Sequence, residues 1–147
     1  MRNTIKEDMI YVKTVLLKTL GESGSEEIER MGGLTNRTYK VKLSNGRVFV
    51  VRIPGEGTGE LIVRRDEKVS TELACELGID AKLLYFGDDG TKVTEFIPDA
   101  VTMSAESMKF PEHIRQAADI FRKLHSCDID TGVPFDVFDM AKGYEEI

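Results

Sequence analysis

Cysteine is scarce in this chain: among 147 residues only Cys75 and Cys127 carry a thiol, far apart and without metal-ligand spacing. That argues against a disulfide-built scaffold and for a reduced, cytoplasmic protein in which both thiols are packing residues. Long apolar runs are missing too. None approaches the roughly 20 residues a membrane span requires, and the N-terminus lacks the basic stretch and hydrophobic block of a signal peptide, so no membrane role is expected. Basic charge is in deficit, with 20 Lys and Arg against 26 Asp and Glu, giving a net charge of −6 spread along the chain. Such a balance opposes nonspecific binding to nucleic acid or anionic lipid, but leaves room for a local basic pocket that holds a phosphate. There is no internal repeat and no low-complexity tract. Asparagine is absent after Asn45.

What is present suits one packed domain, or a small domain with an appendage, at 41% hydrophobic content. Ile5, Met9, Val12, Leu16 and Leu20 recur at helical spacing with charges between them, which predicts an amphipathic helix ending near Gly21. Ile28 to Met31 reads as a short strand. Tyr39, Val41 and Leu43 then alternate with Thr38, Lys40 and Lys42, and Asn45-Gly46 predicts a two-residue hairpin into a return strand, Arg47 to Ile53. That register sets Leu43 opposite Val48, Val41 opposite Val50 and Tyr39 opposite Arg52. With Phe49, Val51 and Ile53 on its other face, the return strand reads as an interior one covered on both sides, and Arg52 as half-buried. Gly55 to Gly59 reads as loop. A helix is expected over 61–77, with Ile62, Val69, Leu73 and Leu77 as its stripe and Gly78 as its stop. Strands follow near 82–86 and 91–96, joined by a turn from Gly87 to Gly90. After Pro98 comes a helix opened by Pro111, whose apolar face is Ile114, Ala117, Ala118, Phe121 and Leu124. The last twenty residues read as loop and the start of another helix.

Chemistry concentrates around "GGLTNRTYKVKLSNGRVFVVRIPG", residues 32 to 55. Glycines between two strands let backbone approach a ligand, and successive N–H groups there can bind anionic oxygens, with Thr35 and Asn36 adding side-chain donors. Alone, such a pair is more often an ordinary turn. Arg52 sharpens the reading, because a guanidinium within an apolar sheet needs an anion. A helix carboxylate and a phosphate beneath the glycines both fit its forked geometry; the bland alternative is an arginine that reaches solvent at the strand's end. For the carboxylate, Asp66 lies nearer the middle of the apolar stripe and Glu67 nearer its edge but with longer reach. Glu72 points away.

"GGLTNRTYKV", "FVVRIPG", "RRDEKVSTELACELGI", "AKLLYFGDDGTKVTEFIPD" and "FRKLHS", in this order, resemble the N-terminal half of choline/ethanolamine kinases. The likeness is to the bacterial LicA-type branch, within the superfamily shared with protein kinases and aminoglycoside phosphotransferases. It implies an α+β fold: a protein-kinase-like N-lobe over 1–97, with a five-stranded antiparallel sheet, a C-type helix and an N-terminal helix. Residues 98–147 would then be linker and the first helices of a C-lobe. It also implies that ATP lies under Gly32, Gly33, Leu34, Thr35 and Asn36. Arg52 would orient the phosphates with Glu67 as its partner, Val50 would roof the adenine, and Glu95, Phe96 and Ile97 would form the hinge. Between Asp66 and Glu67 the resemblance favours Glu67.

Phosphoryl transfer in this superfamily also uses an aspartate that positions the acceptor hydroxyl, a downstream asparagine and a second acid that holds Mg²⁺. "LHSCDIDTG" offers His125, Asp128 and Asp130 but no asparagine follows. The expectation is a chain that stops before the catalytic loop, with no catalytic residue and no metal ligand of its own. Its expected partners are ATP and, in a complete enzyme, choline or ethanolamine, with self-association through an exposed cleft surface. The rival readings are an aminoglycoside or sugar-amine phosphotransferase fragment and a non-catalytic nucleotide-binding or assembly module. His113 is expected to face solvent, Tyr39 and Phe49 to pack, and the acids Asp136, Asp139, Glu145 and Glu146 to form a solvated surface rather than a metal site.

Overall fold

The computed structural model describes residues 4–22, 24–33, 35–134 and 136–145. Helix α1 spans Thr4–Leu20. Strands β1 (Ser25–Met31), β2 (Arg37–Leu43) and β3 (Val48–Ile53) follow. A single-turn helix α2 (Thr58–Leu61) precedes α3 (Arg64–Glu76). Strands β4 (Leu83–Phe86) and β5 (Lys92–Glu95) complete one five-stranded antiparallel sheet in the order β1-β2-β3-β5-β4. A 3-10 turn at Ser107–Lys109 leads into α4 (Pro111–His125), and α5 is Val137–Glu145. The α+β class and the five-stranded sheet agree with the sequence reading.

The core lies on one face of the sheet. Val12, Val15 and Leu16 of α1 pack on Tyr39, Val41, Leu43, Phe49, Val51, Ile53 and Val93, all of them buried. Burial of each such large aliphatic or aromatic side chain is worth about 1.5–3 kcal/mol. Asp8 of α1 is buried with them, and it accepts hydrogen bonds from Arg37 Nε and from the Tyr39 hydroxyl, each at 2.7 Å. Burial, and then the bond to Asp8, push the Tyr39 hydroxyl up to about 12.

The hairpin differs from its expected form. Leu43 N–H donates to the Arg47 carbonyl and Gly46 N–H to the Leu43 carbonyl, so the loop has three residues, Ser44, Asn45 and Gly46. Gly46 sits at φ +83°, the left-handed residue of a bulged turn. Val41 consequently faces Phe49, Tyr39 faces Val51, and Arg52 faces Thr38 rather than Tyr39. The reason is parity. This register puts Tyr39, Val41 and Leu43 on the same side as Phe49, Val51 and Ile53, whereas a two-residue loop would align them with Arg52. β3 is interior as expected, but only its core face is buried; Val48, Val50 and Arg52 on the other face are half-buried.

The helix expected over 61–77 is also corrected. Ile62 and Val63 are extended and separate α2 from α3, in keeping with the low helix preference of β-branched pairs. Ile62 is exposed rather than part of the buried stripe. The far end behaves as expected: Gly78 takes φ +65°, its N–H bonds the Cys75 carbonyl, and Ile79 N–H bonds that of Ala74, a Schellman stop. His113 is half-buried, not solvent-facing, and donates from Nδ1 to the Ser107 carbonyl at 2.7 Å. The apolar face of α4 is uncovered, with Ile114, Phe121 and Leu124 exposed.

Candidate functional site

Arg52, Val50 and Val48 share the face of the sheet opposite the core with Lys92 and Thr94 of β5, because Arg52 pairs with Lys92 and Val50 with Thr94. Helix α3 approaches this face. Its first turn carries Glu67, where a carboxylate also complements the helix dipole. Arg52 Nη2 donates to Glu67 Oε1. Asp66 is turned aside and bonds Arg65 Nε at 3.1 Å, so Glu67 is the helix partner and the choice left open by the residues alone is resolved.

Glu67 is shared by three cations. Arg64 Nη1 donates to its Oε2 at 2.8 Å, and Lys92 Nζ lies 3.6 Å from Oε1 while also donating to Thr71 Oγ1 at 3.0 Å. The side chains of Arg52, Arg64, Glu67 and Lys92 are each no more than 25% exposed, so solvent screens them incompletely. Burial alone would raise the Glu67 carboxyl. Hydrogen bonds from Arg52 and Arg64, with the charges of Arg52 and Lys92, outweigh it and hold the group below the ordinary glutamate value. Lys92 is lowered, first by burial and then by the like charge of Arg52. Three cations around one carboxylate leave excess positive charge, and Arg52 Nε is buried without a hydrogen-bond partner. A donor in that state needs an acceptor, and the surplus positive charge around it favours an anion.

The glycine loop lies at the end of β1 and β2 nearest this cluster. Gly33 adopts φ +155°, and a Cβ there would meet the Asn36 carbonyl oxygen at 2.5 Å. Gly32 is under no such constraint, so one glycine of the pair shapes the loop. Gly55 supports it from below: a Cβ there would lie 1.8 Å from the Thr35 carbonyl oxygen. A cavity of about 480 Å³ opens beside this contact, lined by Arg30, Gly33, Thr35, Asn36, Arg37 and Gly55 among others. Leu34 lies outside the described residues. At the opposite end, Phe96 N–H donates to the Val48 carbonyl, Lys40 Nζ stands 4.5 Å from the centre of the Phe96 ring, and Ile97 is exposed. Of the expected hinge and roof residues, Val50 shares the face of Arg52 and Phe96 lies against Lys40 of that face, whereas Glu95 pairs with Phe49 of the core face.

A second cavity of about 590 Å³ lies between α1 and the chain from Pro54 to Gly59. Its buried acid, Asp8, is already engaged by Arg37 and Tyr39, so the cation-rich face remains the candidate. Sequence reasoning missed Arg64 and Lys92. Lys92 could have been found from its place opposite Arg52 across the β3–β5 pair, once that pairing was known.

The model of the family described as choline/ethanolamine kinase matches residues 28–145. The chain belongs to the choline/ethanolamine kinase family. Among solved structures, this family member is similar to the choline kinase LicA from Streptococcus pneumoniae, with 31% identity, a TM-score of 0.82, and 95% of this chain covering 48% of that one. LicA in complex with AMP is similar at 32% identity and TM-score 0.79, with coverage of 92% and 47%. A Plasmodium vivax ethanolamine kinase follows at 26% identity and TM-score 0.66, with coverage of 95% and 37%. The chain thus spans under half the length of each of these relatives. An aminoglycoside phosphotransferase in complex with streptomycin and ATP, at 19% identity and TM-score 0.51, shares the fold. No curated protein sequence matches the chain. Among the described residues, no helix is long and apolar enough to cross a membrane.

Proposed function

We propose that this family member forms the nucleotide-binding half of a kinase that transfers the ATP γ-phosphate to a hydroxyl of choline or ethanolamine. The observation that carries the reading is the excess of cations around Glu67, with Arg52 Nε buried and unpartnered. Arg52 can keep its single Nη2 bond to Glu67 and turn Nε to a phosphate oxygen, so the carboxylate restrains the direction of the guanidinium while the nucleotide neutralises the surplus charge. Gly33, Thr35 and Asn36 would cover the phosphates from above, with Gly32 and Leu34 completing that loop. Val50 would roof the base, and Glu95, Phe96 and Ile97 would meet its edge. The AMP found in one structural relative supports a nucleotide here. The boundary at residue 97 follows from the same reading, with 98–147 as linker and the first C-lobe helices.

Among the described residues, no group of three or more His, Cys, Asp or Glu side chains could hold a metal ion. The sequence offers no asparagine after Asn45 for the Mg²⁺ pattern of this superfamily, and in this reading the Mg²⁺ ligands and the hydroxyl-positioning acid belong to the part of the complete enzyme that this chain does not span. Cytoplasmic location follows from the same soluble-kinase reading. The uncovered α4 face, with Ile114, Phe121 and Leu124 exposed, favours self-association of the isolated chain.

Calorimetry with ATP tests the proposal. The 147-residue chain should bind ATP weakly, because one wall of a cleft buries only part of the ligand, and Arg52→Met should weaken binding about tenfold or more. It should not phosphorylate choline or ethanolamine. Equal ATP affinity in the Arg52→Met variant overturns the site, and turnover by the pure chain overturns its catalytic incompleteness.

A further inference from the structure

Arg64 does more than neutralise Glu67. Its guanidinium is forked between two segments: Nη1 donates to Glu67 Oε2 at 2.8 Å, and Nη2 donates to Thr58 Oγ1 at 2.6 Å. Thr58 in turn donates its hydroxyl to the Gly55 carbonyl at 2.8 Å. Gly55 is the residue against whose Cα the Thr35 carbonyl of the glycine loop rests, with no room for a Cβ. The arginine is also held from a third side. Its side chain crosses the β4–β5 turn at Gly90, where a Cβ would come within 2.7 Å of Arg64 Cδ and Nε. Only 16% of the side chain is exposed.

The break at Ile62 and Val63 makes this possible. By starting α3 afresh at Arg64, it lets the first residue of that helix reach back to the first residue of α2. A continuous helix would carry Thr58 and Arg64 on separate faces, six residues apart.

We infer that Arg64 is a positioning residue that ties the resting place of the glycine loop, through Thr58 and Gly55, to the Glu67 carboxylate and hence to Arg52. The inference rests on the reading of Arg52 as the phosphate-facing group. In it the two parts of the phosphate site, loop above and guanidinium below, are set by one clamp rather than independently. The Thr35, Gly55, Thr58, Arg64, Glu67 and Arg52 series supplies a contiguous set of contacts through which such a coupling can run.

Two readouts test it. The first is ATP affinity by calorimetry in wild type, Arg64→Met, Arg64→Lys, Thr58→Val and Arg52→Met. The second needs no nucleotide: titration of the Glu67 carboxyl by NMR, with amide hydrogen exchange over residues 55–58. The charged groups facing that carboxyl are Arg52 from β3, Arg64 from α3 and Lys92 from β5. Arg64→Met should weaken ATP binding about three- to tenfold, move the Glu67 titration to higher pH and speed exchange at 55–58. Arg64→Lys should recover the titration but not the slow exchange, since an ammonium cannot reproduce the planar fork. Thr58→Val should leave the titration in place and speed exchange alone. If Arg64→Met leaves both the titration and the exchange at their wild-type values, the clamp is refuted. If Arg52→Met leaves ATP binding unchanged, the phosphate reading fails, while the nucleotide-free readout still decides the clamp. Should Arg64→Met not fold, slow wild-type exchange at 55–58 in both Arg64→Lys and Thr58→Val refutes the clamp instead.

Discussion

Two ionic clusters occupy opposite faces of the sheet, and they are built on different principles. On the α1 face, Asp8 meets one guanidinium and one phenol, and each of the three groups finds a partner at 2.7 Å. On the other face, Glu67 meets Arg52, Arg64 and Lys92, and Arg52 Nε is left over. The first cluster is closed: charge and hydrogen bonds are satisfied within it, and it fastens a helix to a sheet. The second is open by roughly two positive charges, so it is stable only as far as solvent or an anion completes it. The satisfied cluster fastens α1 to the sheet, and the cation-rich cluster around Glu67 is the candidate site.

The comparison breaks most sharply at Asp8. Asp8→Ala should strip partners from both Arg37 and Tyr39 and cost about 2–4 kcal/mol of stability, discounted for the partial exposure of Arg37. Chemical denaturation measures the loss, and ATP affinity of the folded protein should not change. Glu67→Gln is the mirror experiment. It removes the acid that three cations share, so ATP affinity should change more than the unfolding midpoint does. If Asp8→Ala weakens ATP binding as much as Glu67→Gln, the division of labour between the faces is wrong.

Titration separates the faces more gently. The Tyr39 proton is held more tightly in the folded chain, so its contribution is fully present below the unfolded value of 10.0 and declines as pH rises through about 12. Glu67 has the opposite sign. Its carboxyl is depressed, so its contribution is present above its ordinary value of 4.5 and is lost as pH falls below that. Denaturation midpoints across pH should therefore fall at the acid end in a way that Glu67→Gln abolishes, and at the alkaline end in a way that Tyr39→Phe abolishes. The smallest effect belongs to the exposed bridge from Arg47 to Glu22 at 3.1 Å; Arg47→Ala should cost about 0.2–1 kcal/mol, less at high salt.

The open cluster was legible in part, through Arg52 and Glu67 but not Arg64 and Lys92, and the closed one was not. Arg52 stands out because a charge among valines breaks a local pattern and calls for a helix acid; the residues alone left Asp66 and Glu67 open, and only the family resemblance favoured Glu67. Asp8 breaks no pattern. In an amphipathic helix it reads as one more polar position between Ile5 and Met9, and its partners lie 29 and 31 residues away. The hairpin register failed for a related reason. Asn45-Gly46 fits a two-residue loop and the end of a three-residue one equally well, and only the joint alternation of both strands decides. The α2–α3 break was concealed because Ile62 continues the helical spacing of Val69 and Leu73 even though its backbone is extended.

The three-residue turn at Ser44, Asn45 and Gly46 makes chain length, more than residue identity, the quantity that nature must conserve there. Removing a single position would invert β3 relative to β2, driving a guanidinium toward the hydrophobic interior and a phenyl ring toward the side that faces Glu67. Homologues should consequently tolerate exchanged side chains at Ser44 and Asn45, though not at the left-handed Gly46, far more readily than single insertions or deletions.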